Sequence, residues 1–311
     1  MLNYFIPGGA GYIGSVLVET LLERGDQVTV VDNFFFGQTS LLHLIRNPKL
    51  KLIKGDIRDT ELMKTCLARA DVIVPLAALV GAPLCDREPT LSQEVNFTAS
   101  RALIAMAGTQ QMLVMPTTNS AYGSGDASHF CDENSALNPI STYARMKVDL
   151  EDFLLSKPNA ISFRLATVFG VSPRMRLDLL VNDFTYRAMA NGHISLFEGH
   201  FKRNYIHVRD VVKVFLHATD NFSGMRGQVY NVGLSTANIS KLQLCEEIKK
   251  QIHSFTFSEI ENGRDPDQRN YIVSNAKIEA TGYAPDYTLT HGIAEIIKSY
   301  PLLNEAKMRN V

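Results

Sequence analysis

The chain has 311 residues, 45% of them hydrophobic, enough to bury the core of one large domain or two closely joined ones. Its 31 basic and 32 acidic residues leave a formal net charge of −1, which excludes the broad basic field that nucleic acid or an anionic membrane would need. No apolar run approaches the roughly 20 residues of a membrane span, and the opening MLNYFIPGG lacks the basic region and cleavage site of a secretion signal. The expectation is therefore a cytoplasmic protein with neither a membrane nor a nucleic-acid partner. Cys66, Cys85, Cys131 and Cys245 lie far apart with no CxxC pair, so no metal site is expected.

In chain order, apolar runs of strand length fall at residues 2–6, 28–31, 50–53, 72–76, 112–115 and 160–163, with helical patterns between them. After Gly11, the residues Ile13, Leu17, Leu21 and Leu22 share one helical face, and Gly25 with Asp26 makes a stop before the next strand. Continuous apolar strands alternating with helices predict an α/β fold: a Rossmann-type doubly wound parallel sheet over residues 1–170, with ligands beyond the C-terminal strand ends. Past Gly170 the alternation breaks at Pro173, at several arginines and at a helical stretch over 177–190. A strand-helix pattern near 206–218 and a strand at 229–232 suggest that the chain re-enters the first domain around 204–232. Residues 171–311 are then mainly a smaller α/β substrate domain.

Gly8, Gly11 and Gly14 give G-x-x-G-x-x-G directly after the first strand and at the start of the first helix. Backbone amides and the helix dipole there can receive a pyrophosphate, while side chains would obstruct the tight turn or the phosphate's approach. Asp32, after the second strand, can accept hydrogen bonds from both adenosine ribose hydroxyls and would repel a 2′-phosphate, which favours NAD over NADP. Asp32-Asn33 is also good turn chemistry. Gly55-Asp56-Ile57 follows another strand and could border the adenine or be an ordinary loop.

Tyr143 and Lys147 are spaced i, i+4 and so project from one helical face, behind a helix start at Asn138-Pro139 and Ser141. Thr118 lies just after the strand run at 112–115, so three polar groups can converge at one strand-end crevice. A nearby ammonium would lower the tyrosine's pKa from about 10 toward the range of a neutral-pH base. Thr118 would hydrogen-bond the substrate hydroxyl that gives its proton to Tyr143.

Together GGAGYIGS, Asp32, GDIRD, LAAL, Thr118, YARMK and RNYIHVRD resemble, over nearly the whole chain, the extended short-chain dehydrogenase/reductase family of nucleotide-sugar enzymes. The resemblance implies that Tyr12, Ile13, Leu76, Ala77, Ala78 and Asn96 border an NAD cofactor, Asn96 on the nicotinamide side. It also implies a homodimer built from the Tyr143 helix and one spanning about 92–107. Pro7 and Pro75 depart from the family's usual threonine and histidine. The family's 4,6-dehydratases carry Asp-Glu after the threonine; Asn119-Ser120 stands here, and neither side chain can do that proton work at neutral pH.

Guanidinium groups suit a nucleotide sugar's diphosphate. Arg203 and Arg269 resemble family positions that hold it; Arg264 is a further candidate, and Arg174, Arg176 and Arg209 are either ligands or solvated surface. Asn182 and Asp183 could face the substrate. The block RLATVFGVSPRMR resembles oxidoreductases of bacterial surface-polysaccharide clusters, some acting on GDP-linked heptose. The sequence thus points to an NAD-dependent oxidoreductase working at C4 of a nucleotide-diphosphate sugar, as a 4-epimerase or a net dehydrogenase. A 4,6-dehydratase and a non-catalytic NAD sensor are the rival readings.

Overall fold

The structure is a computed structural model that describes residues 1–124, 129–260 and 269–310. Its main sheet takes β1 (Asn3–Pro7), β2 (Gln27–Asp32), β3 (Leu50–Lys54), β4 (Val72–Ile73) and β5 (Met112–Thr118), then the strands Ala160–Leu165 and Gln228–Val232. All seven run parallel, in the spatial order Gln228–Val232, Ala160–Leu165, β5, β4, β1, β2, β3. The order reverses at β1, which has β2 on one side and β4 on the other, and a crevice opens at such a switch point beyond the strand ends.

The strands read as unbroken apolar runs because both faces of the sheet are covered. Tyr4 and Ile6 enter one buried cluster while Phe5 between them enters the other, and Val72 and Ile73 divide in the same way. On the first face, α1 (Tyr12–Arg24) buries Val16, Leu17, Val18, Leu21 and Leu22, and it ends where Gly25, at φ 89°, gives its N–H to the carbonyls of Leu21 and Leu22.

Three elements differ from the sequence expectation. The fourth run, expected over 72–76, is a ladder only at Val72–Ile73. Val74 and Leu76 still donate to Phe5 and Pro7 of β1, but Pro75, whose nitrogen would face β5, has no N–H to extend that side. The helix expected over 177–190 starts only at Leu180 and runs to Asn191. The helix expected over 92–107 is three contiguous pieces, Pro89–Gln93, a π-helical turn Glu94–Ala99 and Ser100–Met106.

Beyond Leu165 the chain leaves the main sheet. Thr167–Phe169 pairs parallel with Lys202–His207, which pairs antiparallel with Asn238–Ser240. Gln228–Val232 lies at the edge of the main sheet beside Ala160–Leu165. The last residues fold back, with the Leu177 N–H bonded to the Met308 carbonyl at 2.6 Å.

Candidate active site

One large cleft sits over the strand ends. Gly8, Gly11, Tyr12, Ile13 and Gly14 form its floor, Leu76 and Ala78 border it, and Thr118, Ser120, Tyr143 and Lys147 line its centre. The glycines are sterically required: a Cβ on Gly8, at φ 81°, would lie 2.3 Å from the Ala77 nitrogen, and one on Gly14 would lie 2.7 Å from the Gly9 backbone. The cradle is therefore bare backbone at the start of α1, a fit for a dinucleotide's pyrophosphate.

Asp32 does not line the cleft. Its carboxylate accepts from Ala10 N–H at 3.0 Å, Phe34 N–H at 2.8 Å and Gln38 Nε2 at 3.2 Å, and so braces the glycine turn from behind. Burial raises its carboxyl above the ordinary value against these donors. A carboxylate has about four lone-pair sites, so with Gln38 in place one remains for a ribose hydroxyl. Asn33 is exposed, Asp56 is paired with Arg58 at 2.9 Å, and Ile57 is buried in the core; none of the three lines the cleft. Ala77 acts through its backbone against Gly8.

Asn96 is fully buried in the π-helical turn instead of facing the cleft. Its Oδ1 accepts the Leu79 N–H and its Nδ2 donates to the Leu79 carbonyl, both at 2.8 Å, which holds the bend leading to the cleft residues Val80 and Gly81. The Cys85 thiol donates to that same carbonyl at 3.4 Å.

Thr118 ends β5, and its Oγ1 caps the following turn by accepting the Ser120 N–H at 3.1 Å while it donates to Ser120 Oγ at 3.0 Å. The helix Thr142–Leu155 starts at Ser141, whose hydroxyl accepts the Ala144 N–H. It brings Tyr143 and Lys147 to the cleft with Lys147 Nζ 6.0 Å from the centre of the phenol ring. Burial pushes the Tyr143 phenol up to about 12, Cys85 adds to the push, and the guanidinium groups of Arg176 and Arg269 pull against it. Burial brings the Lys147 ammonium down to about 8, which leaves it charged at neutral pH beside these two guanidinium groups.

That depression has a consequence for stability. Below pH 8 Lys147 is charged in both folded and unfolded chains, and the folded chain bears the full cost of burying the charge. Between pH 8 and 10.5 the unfolded chain stays charged while the folded one loses its proton, so stability rises with pH in that window. Lys147→Met is thus expected to stabilise the ligand-free protein at pH 7 by about 3 kcal/mol, and the gain should shrink as the pH approaches 10. Urea denaturation at pH 7, 8.5 and 10 measures it, and a gain that does not change with pH contradicts the assignment.

The remaining expected residues divide. Asn119 is buried behind the turn and does not line the cleft. Asn182 is also fully buried; it accepts the Gly170 N–H at 3.0 Å and donates to the Arg176 carbonyl at 2.9 Å, shaping the loop instead of meeting a ligand. Arg174, Arg176, Arg203 and Arg269 all line the cleft. Arg269 is hydrogen-bonded to the Ser120 hydroxyl, beside Thr118. Arg209 is exposed on the helix Val208–Asp220, Asp183 is bound to Arg309 at 2.6 Å, and Arg264 lies outside the described residues.

Phe36, Asp178 and Asn310 line the cleft without a sequence signal. Asp178 is paired to Arg176 at 2.5 Å. Burial works to raise its carboxyl, but Arg176 and backbone donors hold it below the ordinary value. Among the described residues it is the only carboxylate on the cleft wall.

Residues 4–233 match the model of the NAD dependent epimerase/dehydratase family. The chain belongs to that family. Among its relatives, the UDP-glucose 4-epimerase of Mycolicibacterium smegmatis is 28% identical over 96% of this chain and 98% of its own length. The UDP-glucuronic acid decarboxylase 1 of Arabidopsis thaliana is 27% identical over 98% of this chain and 71% of its own. The solved UDP-glucuronic acid 4-epimerase of Bacillus cereus superposes with a TM-score of 0.86 at 21% identity, covering 97% of this chain and 100% of that one, and shows the same fold. An NAD-dependent epimerase/dehydratase takes NAD, and the bare glycine cradle fits the pyrophosphate of that cofactor. No helix among the described residues is long and apolar enough to cross a membrane.

Proposed function

We propose that the protein oxidises a nucleotide-diphosphate sugar at C4, working as a 4-epimerase or a net C4 dehydrogenase. The observation that carries this is the meeting of Thr118, Tyr143 and Lys147 in one cleft with the dinucleotide cradle. Tyr143 takes the proton from the sugar hydroxyl, and Arg176 and Arg269 stabilise the phenolate that its own burial opposes. Thr118 and Ser120 share a hydroxyl network at the same place, and Arg269 fixes its far end. NAD, once bound, supplies the two-electron oxidation at the carbon bearing that hydroxyl.

Elimination of water is disfavoured because it needs an acid and a base in addition to Tyr143. Among the described residues, Asn119 is buried away from the cleft, Ser120 is held by Thr118 and Arg269, and Asp178 is kept ionised and so no acid, with its carboxylate paired to Arg176. The resemblance of RLATVFGVSPRMR supports a surface-polysaccharide sugar, GDP-linked heptose among them. The dimer reading rests on the helices Ser100–Met106 and Thr142–Leu155, where Arg101 and Arg145 stand outward with Asp149 and Asp152, charges that suit a two-fold contact.

Incubation with UDP-, GDP- and dTDP-sugars and NAD, followed by NMR of the products, tests the reaction. The expected result is a C4 epimer, or a 4-keto sugar with stoichiometric NADH. A 4-keto-6-deoxy product would establish the dehydratase instead, and unchanged sugars across the panel would favour a sensor.

A further inference from the structure

Arg174 is a buried cation whose partners are all neutral. It is 6% exposed, yet its guanidinium donates to the Met175 carbonyl and to Asn310 Oδ1 at 2.9 Å and lies 4.8 Å over the ring of Phe36. No carboxylate among the described residues pairs with it; Asp178, whose charge reaches it, is taken by Arg176. A guanidinium withdrawn from water without an anion is expensive to keep, and it faces a cleft built to receive one.

The position of Arg174 says which anion. Its N–H donates to Ser172 Oγ at 3.3 Å, and Ser172 Oγ in turn donates to the Tyr12 carbonyl at 2.7 Å and contacts Ser15 Oγ at 3.0 Å. The Tyr12 hydroxyl donates to the Gly170 carbonyl at 2.6 Å. The stretch from Gly170 to Arg174 is thus fastened along the first turn of α1, at the cofactor end of the cleft. Phe36, which flattens the guanidinium from the other side, follows the strand that ends at Asp32. Asn310 orients the group and is itself tied by its N–H to Asp178 Oδ1 at 3.3 Å.

The geometry points to Arg174 as the counter-ion of the dinucleotide's pyrophosphate, clamped over the glycine cradle by Phe36 and Asn310. This assigns it to the cofactor and not to the sugar nucleotide. The planar fork can bind two phosphate oxygens at once, which a lysine cannot reproduce, and a residue from beyond the glycine cradle thereby closes over NAD.

The test is binding, independent of any turnover, so it stands apart from the fate of the C4 reaction. Calorimetric titration of NAD, UDP and GDP into the parent, Arg174→Met and Arg174→Lys separates the two sources of diphosphate. Arg174→Met should weaken NAD at least tenfold and leave UDP and GDP within twofold; Arg174→Lys should fall between parent and Met. Removal of an unpaired buried charge should also leave the ligand-free melting temperature unchanged or higher, while the rise produced by NAD shrinks. If Arg174→Met does not fold, Arg174→Lys carries the same comparison with a loss of NAD affinity of at least threefold. NAD affinity within twofold of the parent, or an equal or greater loss for UDP or GDP, overturns the assignment.

Discussion

Replacement of Tyr143 by Phe is expected to lower turnover about 10²- to 10⁴-fold, with NAD affinity close to that of the parent. The change removes one oxygen and leaves the ring, which packs on the buried cluster that holds the helix Thr142–Leu155 to the sheet. Among the described residues of the cleft, none is placed to take over the proton. Lys147 is still an ammonium at neutral pH, Thr118 is committed to Ser120, and Asp178 is locked to Arg176. Product formation with a responsive sugar nucleotide, measured in parallel with NAD titration, provides the check. Turnover within a few-fold of the parent would remove Tyr143 from the chemistry, and a matching loss of NAD affinity would make it a cofactor ligand instead of a base.

What the sequence revealed and what it hid follow from the range of the interactions. The glycine turn was legible because much of its requirement is local: a positive φ at Gly8 and, at Gly14, the Gly9 backbone 2.7 Å from a would-be Cβ. Tyr143 and Lys147 were legible because one helical turn fixes their common side. The polar residues were harder, since a buried amide and a ligand-facing amide look alike in sequence. Asn96, Asn119 and Asn182 all turned inward, two of them to satisfy backbone groups of loops that the fold has to bend. Asp32 likewise spends most of its capacity on the turn that it was expected to complement. Arg174 and Asn310, 136 positions apart, meet only because the last residues fold back on Leu177. The π-helical turn at Glu94–Ala99 left no break in the apolar pattern, because Pro89 only starts the helix and no glycine interrupts it.

The largest stability effect is expected beneath the site, at Glu151. One turn beyond Lys147, it is 2% exposed and meets Arg164, 5% exposed, at 2.6 and 2.9 Å. Its other oxygen accepts from Thr117 Oγ1 at 2.7 Å and Ser162 Oγ at 2.6 Å, while Arg164 also donates to the Tyr122 hydroxyl at 3.1 Å. Glu151 thus joins the catalytic helix to β5 and to the strand Ala160–Leu165, directly below Thr118. Glu151→Ala leaves the Arg164 charge buried without its partner, and the expected loss is about 3–5 kcal/mol. The pair need not be net stabilising, because desolvation of both ions offsets much of their attraction. Exchange of both residues, Glu151→Met with Arg164→Met, should therefore recover a large part of the loss. Urea denaturation of Glu151→Met, Arg164→Met and the double variant measures the coupling. Strict additivity would show that the two charges act separately; recovery in the double variant, accompanied by weakened turnover, would show that the ion pair serves chiefly to hold Thr118 and Lys147 in register.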